Sequence, residues 1–414
     1  MLNTPLKLPC GAILPNRLAK AAMTERLSRT DFLPNEQHHR LYARWAQSGA
    51  GLLITGNILI DRRHLESAGN VVADDAAQVP ALAAWAASAT SAGNACWAQI
   101  NHSGRQTALF VNPRPLSASA VKLRKMGLFG RPRPMTEAQI EATIGGFVRA
   151  ARLCQQAGFT GVQVHAAHGY LLSQFLSPLT NRRSDRWGGS LENRSRLLLE
   201  IVRRVRAAVG PAFPVSVKLN SADFQRGGFD EADSLAVIRL LDEAGIDLLE
   251  ISGGTYERLV FLVPEEGEGL RENTQQREAF FLDFAQRARA VSQAPVMLTG
   301  GFRSYAACEA ALQSGAVDVI GMARPFLSDV EQIPAFLRGE VARLQQHDVR
   351  TGIALFESAA EGGYHARQLI RLAQGKSYRP RLSAIGSATF FVASEFFKAM
   401  AKHLAGAAKH RTEG

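Results

Sequence analysis

The feature that most constrains this chain is an alternation of short apolar runs with helical patterns, which repeats through about the first 340 residues. The runs predict buried strands, and the segments between them repeat apolar residues at the spacing of amphipathic helices. The predicted strands are Arg17–Met23, Gly51–Thr55, Ala95–Ile100, Gly161–Val164, Pro214–Leu219, Ile246–Ile251, Pro295–Leu298 and Val317–Met322. The helices predicted after them are Asn35–Gln47, Pro80–Ala92, Thr136–Ala157, Ser190–Val209, Asp230–Ala244, Gln276–Val291, Ser304–Ser314 and Pro325–Leu337.

Eight strand–helix units favour one α/β architecture. Parallel strands joined by helical crossovers form an open doubly wound sheet or a closed barrel, and eight units at this length favour the (β/α)8 TIM barrel. No G-x-G-x-x-G motif follows the first strand, which argues against a Rossmann dinucleotide site. We predict two domains: a barrel over residues 1–340 and a helical C-terminal extension over residues 341–414.

The extension carries two helical segments, HARQLIRLAQG and FFVASEFFKAMAKHL. The second places Phe396, Met400 and Leu404 on one face. This apolar face predicts packing on the barrel or on a partner subunit, so a homo-oligomer is possible. Binding to a membrane surface fits less well, because the segment is short and only mildly basic.

Composition limits the class of protein. With 46% hydrophobic and 21% charged residues, the chain can bury a large core. The four cysteines, Cys10, Cys96, Cys154 and Cys308, form no C-x-x-C pair, which argues against a thiolate metal site and fits a reducing compartment. No signal-peptide pattern opens the chain, and no segment approaches the ~20 apolar residues of a membrane span. We therefore expect a cytoplasmic protein without a membrane span.

The positive charge is concentrated in one long loop. Between residues 105 and 135 there is no acidic residue, and the basic residues are Arg105, Arg114, Lys122, Arg124, Lys125, Arg131 and Arg133. As the loop after the third strand, it should overhang the barrel mouth and attract anionic ligands, such as the 2′-phosphate of NADPH or a substrate bearing CoA or a carboxylate. A solvated surface loop is an equally good interpretation. Nucleic acid is not an expected partner, since aromatic residues are sparse and no binding module is visible.

Barrel active sites form where the strands end in their following loops. The stretch HAAHGY, His165 to Tyr170, ends the fourth predicted strand. Its two imidazoles could donate hydrogen bonds to a carbonyl or anionic oxygen, and the Tyr170 phenol could act as a general acid. No third residue at metal-ligand spacing accompanies them, so we predict no metal site.

The last strands carry a candidate phosphate site. Gly300 and Gly301 follow the seventh strand, and Ala323 and Arg324 follow the eighth, where barrels offer backbone N–H groups to phosphates. Ordinary barrel turns would explain the same residues.

Two residues on other strands suit the polar edge of a flavin. Lys218 ends an apolar strand, and Gln99 ends the third strand. Both suit the pyrimidine edge of a reduced flavin, where negative charge develops. A structural ion pair and a core amide remain the alternatives.

These residues stand in motifs that resemble one family. HAAHGYLLSQFLSPLTNRRSDRWGGSLENR, from His165 to Arg194, is similar to the signature of the old yellow enzyme family of FMN-dependent ene-reductases and NAD(P)H:flavin oxidoreductases. PNRLAKAAMTE, WAQINHSGRQ, VSVKLNSADF, LTGGFRS and IGMARPFLSD match in the same order. The resemblance covers nearly all of the predicted barrel.

The resemblance implies a role for each residue at the barrel mouth. His165 and His168 would hold the electron-withdrawing group of an activated alkene, and Tyr170 would protonate its carbon. FMN would be the bound cofactor and NADPH or NADH the co-substrate, in a ping-pong reaction with a small electrophilic acceptor. The implied cofactor-binding residues are Ala22, Met23, Thr24, Asn57, Gln99, Lys218, Gly300, Gly301, Ala323 and Arg324.

The chain departs from the family pattern at several positions. Many relatives have Pro at Ala22, Cys at Thr24 and Arg at Lys218, and Arg26 stands where some have an aromatic substrate contact. The iron–sulfur extension of the 2,4-dienoyl-CoA reductase branch is not expected, since the last cysteine, Cys308, lies inside the predicted barrel.

Two other functions remain open. A flavin-free lyase or isomerase would use Tyr170 and the histidines for acid–base chemistry. A flavin- or ligand-binding module would have only weak catalysis.

Overall fold

Eight parallel strands close into a barrel in the computed structural model, which describes residues 1–124, 127–252, 281–345, 349 and 354–412. The ring closes because the eighth strand pairs with the first and the first with the second. The strands are β1 Leu18–Lys20, β2 Leu52–Leu59, β3 Ala95–Asn101, β4 Gly161–Ala166, β5 Val215–Asn220, β6 Leu248–Ser252, β7 Val296–Thr299 and β8 Val319–Met322. The predicted TIM barrel is confirmed.

Helices surround this barrel. They are α1 Glu36–Ala46, α2 Val79–Ala89, α3 Glu137–Gln156, α4 Leu171–Leu176, α5 Leu191–Val209, α6 Glu231–Glu243, α7 at 281–289, α8 Tyr305–Gln313, α9 Pro325–Ser328, α10 Ile333–Leu337, α11 Ala354–Ala373 and α12 Ala384–Thr412. The start of the predicted helix Gln276–Val291 lies outside the described residues. The continuous helix predicted over Pro325–Leu337 is wrong, because the tight turn Val330–Gln332 separates α9 from α10.

Local signals explain where the helices begin. At α3 the Thr136 hydroxyl accepts a hydrogen bond from the Gln139 N–H at 3.3 Å, and the Gln139 side chain accepts one from the Thr136 N–H at 2.9 Å. This reciprocal cap satisfies N–H groups that have no partner within the helix. The side chains of Ser190 and Asp230 cap α5 and α6 by accepting the N–H groups of Asn193 and Asp233, without a bond in return.

The barrel interior has an apolar lower layer, toward the amino ends of the strands, and a polar upper layer, toward their carboxyl ends. The lower layer packs Trp97, Leu248, Met297 and Val319 against a short N-terminal hairpin whose Leu6 and Leu14 close the bottom. The polar residues stand on the same strands one layer higher, toward their carboxyl ends. This division places the chemistry at one end of the barrel, as the sequence predicts.

Two strand ends differ from the prediction. β1 stops at Lys20 rather than Met23, so Ala21 to Thr24 are left to line the mouth. β2 runs on to Leu59, with a register irregularity between Ile54 and Asn57. At this irregularity the Gly56 N–H donates to the Glu25 carboxylate at 2.7 Å, and a Cβ on Gly56 would lie 2.3 Å from the Glu25 side chain.

The C-terminal extension forms a helical hairpin against the barrel. α11 packs along α1 and α9, and α12 packs along α11, where a Cβ on Gly363 would lie 2.0 Å from the Ser387 carbonyl oxygen. On the predicted apolar face of α12, Phe396 packs edge-on against Phe110 of the barrel's long loop, with ring centroids 5.3 Å apart, and Phe396, Met400 and Leu404 are 42%, 44% and 65% exposed. Packing on a partner subunit, like the division at residues 340 and 341, stays a prediction.

Within the described ranges, no helix combines the length and the apolar character that crossing a membrane requires.

Candidate active site

A cavity of about 380 Å³ opens at the carboxyl end of the barrel. Its lining includes ten of the predicted site residues: Ala22, Met23, Thr24, Arg26, His168, Lys218, Gly300, Gly301, Ala323 and Arg324. Four others, Asn57, Gln99, His165 and Tyr170, are buried but do not line it. Its volume lies within the ~300–1,000 Å³ range typical of cofactor and ligand pockets.

His165 and His168 stand at the end of β4, with ring centroids 5.1 Å apart. His168 has φ +60°, and its backbone N–H donates to the Asn220 side-chain oxygen at 3.1 Å. This left-handed backbone turns the chain so that both imidazoles lie on the same side of the mouth. His168 Nε2 lies 2.7 Å from the Ser252 hydroxyl.

Burial favours the neutral form of both imidazoles. Burial lowers the pKa of His165 well below its usual value, and His168 and Lys218 add to the effect. Burial also lowers the pKa of His168, with Lys218 acting in the same direction. His165 Nδ1 accepts a hydrogen bond from the Ala167 N–H at 3.2 Å, which places the proton of this ring on Nε2. His165 therefore offers an N–H donor without carrying charge.

Tyr170 lies beside this pair. Its ring centroid is 4.9 Å from that of His165, nearly perpendicular to it, and the residue is only 4% exposed. Tyr170 directly precedes α4, and the chain turns there because the Tyr170 N–H bonds to the Ala167 carbonyl at 3.3 Å. The structure thus brings the three predicted catalytic residues together.

Lys218 is held by a carboxylate that the sequence analysis missed. Its Nζ lies 2.8 Å from Glu250 Oε1 on the neighbouring strand β6. The Thr299 hydroxyl donates to the same oxygen at 2.7 Å. A buried cation is tolerable only with such a partner, so Glu250 explains how Lys218 can end an otherwise apolar strand.

The same carboxylate reaches Gln99 through one intermediary. The Gln163 side-chain amide donates to Glu250 at 2.8 Å, and its oxygen accepts from the Gln99 amide at 2.6 Å. The chain of hydrogen bonds fixes the orientation of both amides and leaves the Gln99 oxygen as an acceptor. The two residues predicted at the flavin edge, Gln99 and Lys218, therefore belong to one network.

A second missed carboxylate, Glu66, stands beside Thr24. The Thr24 hydroxyl donates to it at 2.9 Å, and the Asn57 amide donates to it as well. Arg26, which has φ +59°, lies 3.5 Å from Glu66 and 2.9 Å from Glu395 of α12. Arg26 lines the cavity as a cation bracketed by two carboxylates.

The other end of the cavity suits a phosphate. Gly300 and Gly301 have φ values of +130° and +77°, which glycine adopts readily and other residues rarely do. Arg324 adds a cation and lies 2.8 Å from Glu361 of α11. The nearby His365 Nδ1 is buried with no hydrogen-bond partner among the described residues. A permissive backbone, a cation and an unsatisfied imidazole nitrogen together fit the phosphate end of FMN.

The missed residues differ in how visible they are in the sequence. Glu250 interrupts the apolar run LLEIS, and a lone acid inside a buried strand is a signal of a buried partner. Glu66, Glu361 and Glu395 carry no such signal, because they lie in a loop and in the extension.

The basic loop contributes to a separate cavity of about 320 Å³. Arg105, Lys122 and Arg124 line it together with Arg182 and Asp223. Lys125 lies outside the described residues. Anion binding by this loop stays a prediction.

One group resembling a metal site has a structural explanation. Asp61, His64 and His102 place ligand atoms within 4.8 Å of one another. However, His64 Nδ1 bonds to Asp61 at 3.1 Å and His64 Nε2 accepts the Leu116 N–H at 3.1 Å. Both ring nitrogens of His64 are therefore already used in hydrogen bonds, which is the pattern of a structural histidine.

Comparison with known proteins identifies the family. The NADH:flavin oxidoreductase / NADH oxidase family matches residues 1–336. The NADH-dependent flavin oxidoreductase iccE of Talaromyces variabilis is 41% identical over 344 residues, covering 78% of this chain and 83% of that protein.

Comparison with solved structures supports the same family. A 2-naphthoyl-CoA reductase bound to 2-naphthoyl-CoA superposes with a TM-score of 0.75 and 27% identity over 82% of this chain, which spans about half of that protein, 52%. The old yellow enzyme homologue from Zymomonas mobilis superposes with a TM-score of 0.70 and 26% sequence identity, covering 83% of this chain and 94% of that one.

These matches, together with a cavity that suits FMN, assign an oxidoreductase that uses FMN and a nicotinamide co-substrate. The chain therefore belongs to the NADH:flavin oxidoreductase / NADH oxidase family, the old yellow enzyme family that its sequence motifs indicate.

Proposed function

We propose that this protein is an ene-reductase: an FMN-dependent NAD(P)H oxidoreductase that reduces the carbon–carbon double bond of a small enone-type acceptor by a ping-pong mechanism. The observation that carries the proposal is the neutral imidazole pair with Tyr170, with His168 on the wall of the cavity that also contains the residues suited to FMN. FMN would supply the hydride chemistry.

The histidines would bind and polarise the acceptor. A neutral imidazole N–H can donate to the carbonyl oxygen of an enone, and this bond strengthens as negative charge develops there. Because burial holds both rings neutral, they stabilise that charge without giving up a proton to it. In this role His168 would exchange its contact with the Ser252 hydroxyl for one with the substrate.

Tyr170 would complete the reduction. Hydride addition at one carbon of the double bond leaves the electron pair of that bond at the neighbouring carbon, which must take up a proton. Tyr170 packs against His165 and has a phenolic proton to give. The overall change is addition of one hydride and one proton across the double bond.

The remaining residues would hold the cofactor. Lys218 and Gln99 would meet its polar ring edge, and Thr24 would tune its reduction potential by hydrogen bonding. Gly300, Gly301, Ala323 and Arg324 would hold its phosphate. Since the nicotinamide and the acceptor would enter the same cavity, each would have to leave before the other binds.

An anaerobic absorption titration tests this function. The purified protein should show flavin bands that bleach on adding NADPH or NADH and return on adding 2-cyclohexenone, with one cyclohexanone formed per flavin reoxidised. The faster of the two nicotinamides in the bleaching step gives the preference. Flavin that reoxidises without cyclohexanone would refute ene-reduction. A protein that takes up no FMN would favour the flavin-free lyase or isomerase.

A further inference from the structure

The cofactor cavity has a wall that does not come from the barrel. Helix α11 contributes Gly362, His365, Ala366 and Leu369 to its lining. The family match ends at residue 336, so this helix lies beyond the part of the chain that the family covers. Gly300, Gly301 and Arg324, the residues that suit the phosphate, line the same cavity.

Specific contacts hold this wall in place. Glu361, one turn before His365, pairs with Arg324 at 2.8 Å, which ties α11 to the end of β8. Behind α11, helix α12 is anchored through Glu395, which accepts hydrogen bonds from the Ser67 hydroxyl at 2.7 Å and the Ala68 N–H at 2.9 Å. The hairpin is therefore fastened to the barrel mouth at two separate points.

His365 is the polar group of α11 that this packing leaves unsatisfied. Its Nδ1 is buried without a hydrogen-bond partner among the residues that the structure describes. Its Nε2 lies 3.7 Å from Glu361, beyond hydrogen-bond range, so this contact does not decide which nitrogen carries the proton. A buried polar atom without a partner is costly in a folded protein, so its presence beside a cavity points to a ligand.

The charge around His365 indicates what that ligand is. Arg303 and Arg324 line the same end of the cavity, and one carboxylate, Glu361, lies between Arg324 and His365. Burial lowers the pKa of His365 and both arginines add to this effect, while Glu361 opposes it. An anion placed among these groups would be attracted by the cations and would accept a hydrogen bond from the imidazole.

We propose that His365 is a cofactor-binding residue that donates a hydrogen bond from Nδ1 to the FMN phosphate, so that α11 is an integral part of the cofactor site. The inference rests on FMN being the cofactor of the proposed function. It assigns a binding role to the C-terminal extension, for which the barrel motifs give no signal.

The test compares two flavins that differ only in the phosphate. Full-length protein is stripped of flavin, and the dissociation constants of FMN and of riboflavin are measured by quenching of flavin fluorescence. The variants are His365→Ala, His365→Gln and the control His39→Ala. His39 is a close match, because it is also a helical histidine next to a glutamate and is 22% exposed, against 23% for His365.

His365→Ala should weaken FMN by about tenfold or more, the loss expected for a hydrogen bond to a charged group, and leave riboflavin within about twofold. His365→Gln keeps an N–H donor and should recover part of the FMN affinity. His39→Ala should change neither flavin. Thermal unfolding of the flavin-free variants reports whether each one folds.

Two results would contradict the assignment of His365 to the FMN phosphate. Unchanged FMN binding by His365→Ala, or an equal loss for FMN and riboflavin, would refute the assignment to the phosphate. Both results presuppose wild-type protein that binds FMN. If the wild type bound neither flavin, the proposed function itself would fail, and the experiment would show this before any variant was compared.

Discussion

Lys218 Nζ lies 2.8 Å from Glu250 Oε1, and the two side chains are only 5% and 0% exposed. A buried ion pair adds little to stability over an apolar pair, but removing one partner leaves an isolated buried charge. Glu250 also accepts hydrogen bonds from Thr299 and Gln163, so it is the centre of the polar layer under the cavity.

Glu250→Gln should therefore lower the free energy of unfolding by about 3 kcal/mol or more, because Lys218 loses its partner. Urea denaturation followed by tryptophan fluorescence measures this. The exposed Glu243→Gln on α6 serves as the control and should leave the midpoint unchanged. An unchanged midpoint for Glu250→Gln would mean that the Lys218–Glu250 pair does not stabilise the fold.

Replacing His165 and His168 together by Ala should abolish binding of phenolic ligands while FMN stays bound. Two hydrogen bonds to an anionic oxygen would be lost, which predicts about 100-fold weaker binding or more. The readout is the long-wavelength absorbance band on titration with a para-substituted phenol. Retained phenol binding would show that these two histidines do not bind the phenolic oxygen. Loss of FMN would show that they support the cofactor instead.

Tyr170→Phe should separate the two half-reactions. Loss of a general acid costs about 10²–10⁴-fold in the step that needs the proton, and flavin reduction by NADPH needs none from Tyr170. Stopped-flow absorbance measures flavin reduction by NADPH and reoxidation by 2-cyclohexenone separately. Only reoxidation should slow, and equal slowing of both steps would exclude Tyr170 as the proton donor.

Stability should fall as the pH drops below about 6.5, the usual pKa of histidine. Burial lowers the pKa of four histidines, to about 3 for His38 and well below the usual value for His102, His165 and His168. The unfolded chain takes up protons at these residues from pH 6.5 downward, whereas the folded chain does not. Between pH 6.5 and 5, His38 therefore costs about 2 kcal/mol, and the other three act in the same direction.

His38→Gln isolates one of these contributions. The His38 ring accepts the Asn35 N–H at 3.2 Å at the start of α1, and glutamine can make the same capping contact. The variant should thus keep the helix cap and lose about 2 kcal/mol of the pH dependence between pH 6.5 and 5. Denaturation curves at several pH values measure the slope, and an unchanged slope would mean that His38 titrates normally in the folded state.

Glu395→Gln should loosen α12 from the barrel. The change removes the negative charge that pairs with Arg26 and weakens the bonds from Ser67 and Ala68. Amide hydrogen exchange in residues 384–412 should accelerate by about tenfold, the equivalent of 1.4 kcal/mol. Thr389→Ala, an exposed position on the same helix, is the control and should leave exchange unchanged.

Much of the fold could be predicted from the sequence because its signals are local. The apolar period of each strand and the spacing of each helix face depend on neighbouring residues, and so does the capping box of α3. Strand ends were harder to predict. β1 stops early because the chain leaves the sheet to line the cavity, and β2 continues past Thr55 because Gly56 fits closely against Glu25.

The sequence by itself determined the barrel, and its motifs indicated the family, because parallel β/α topology brings all strand ends to one mouth whatever their separation along the chain. Only the tertiary structure decided which groups pair with one another there. Four carboxylates meet partners that are distant along the chain: Glu66 with Thr24, Glu250 with Lys218, Glu361 with Arg324, and Glu395 with Arg26. Electrostatic and hydrogen-bonding energies depend on distance and burial, and neither is written in local sequence. The same holds for His365, whose place on the cavity wall follows from how α11 packs.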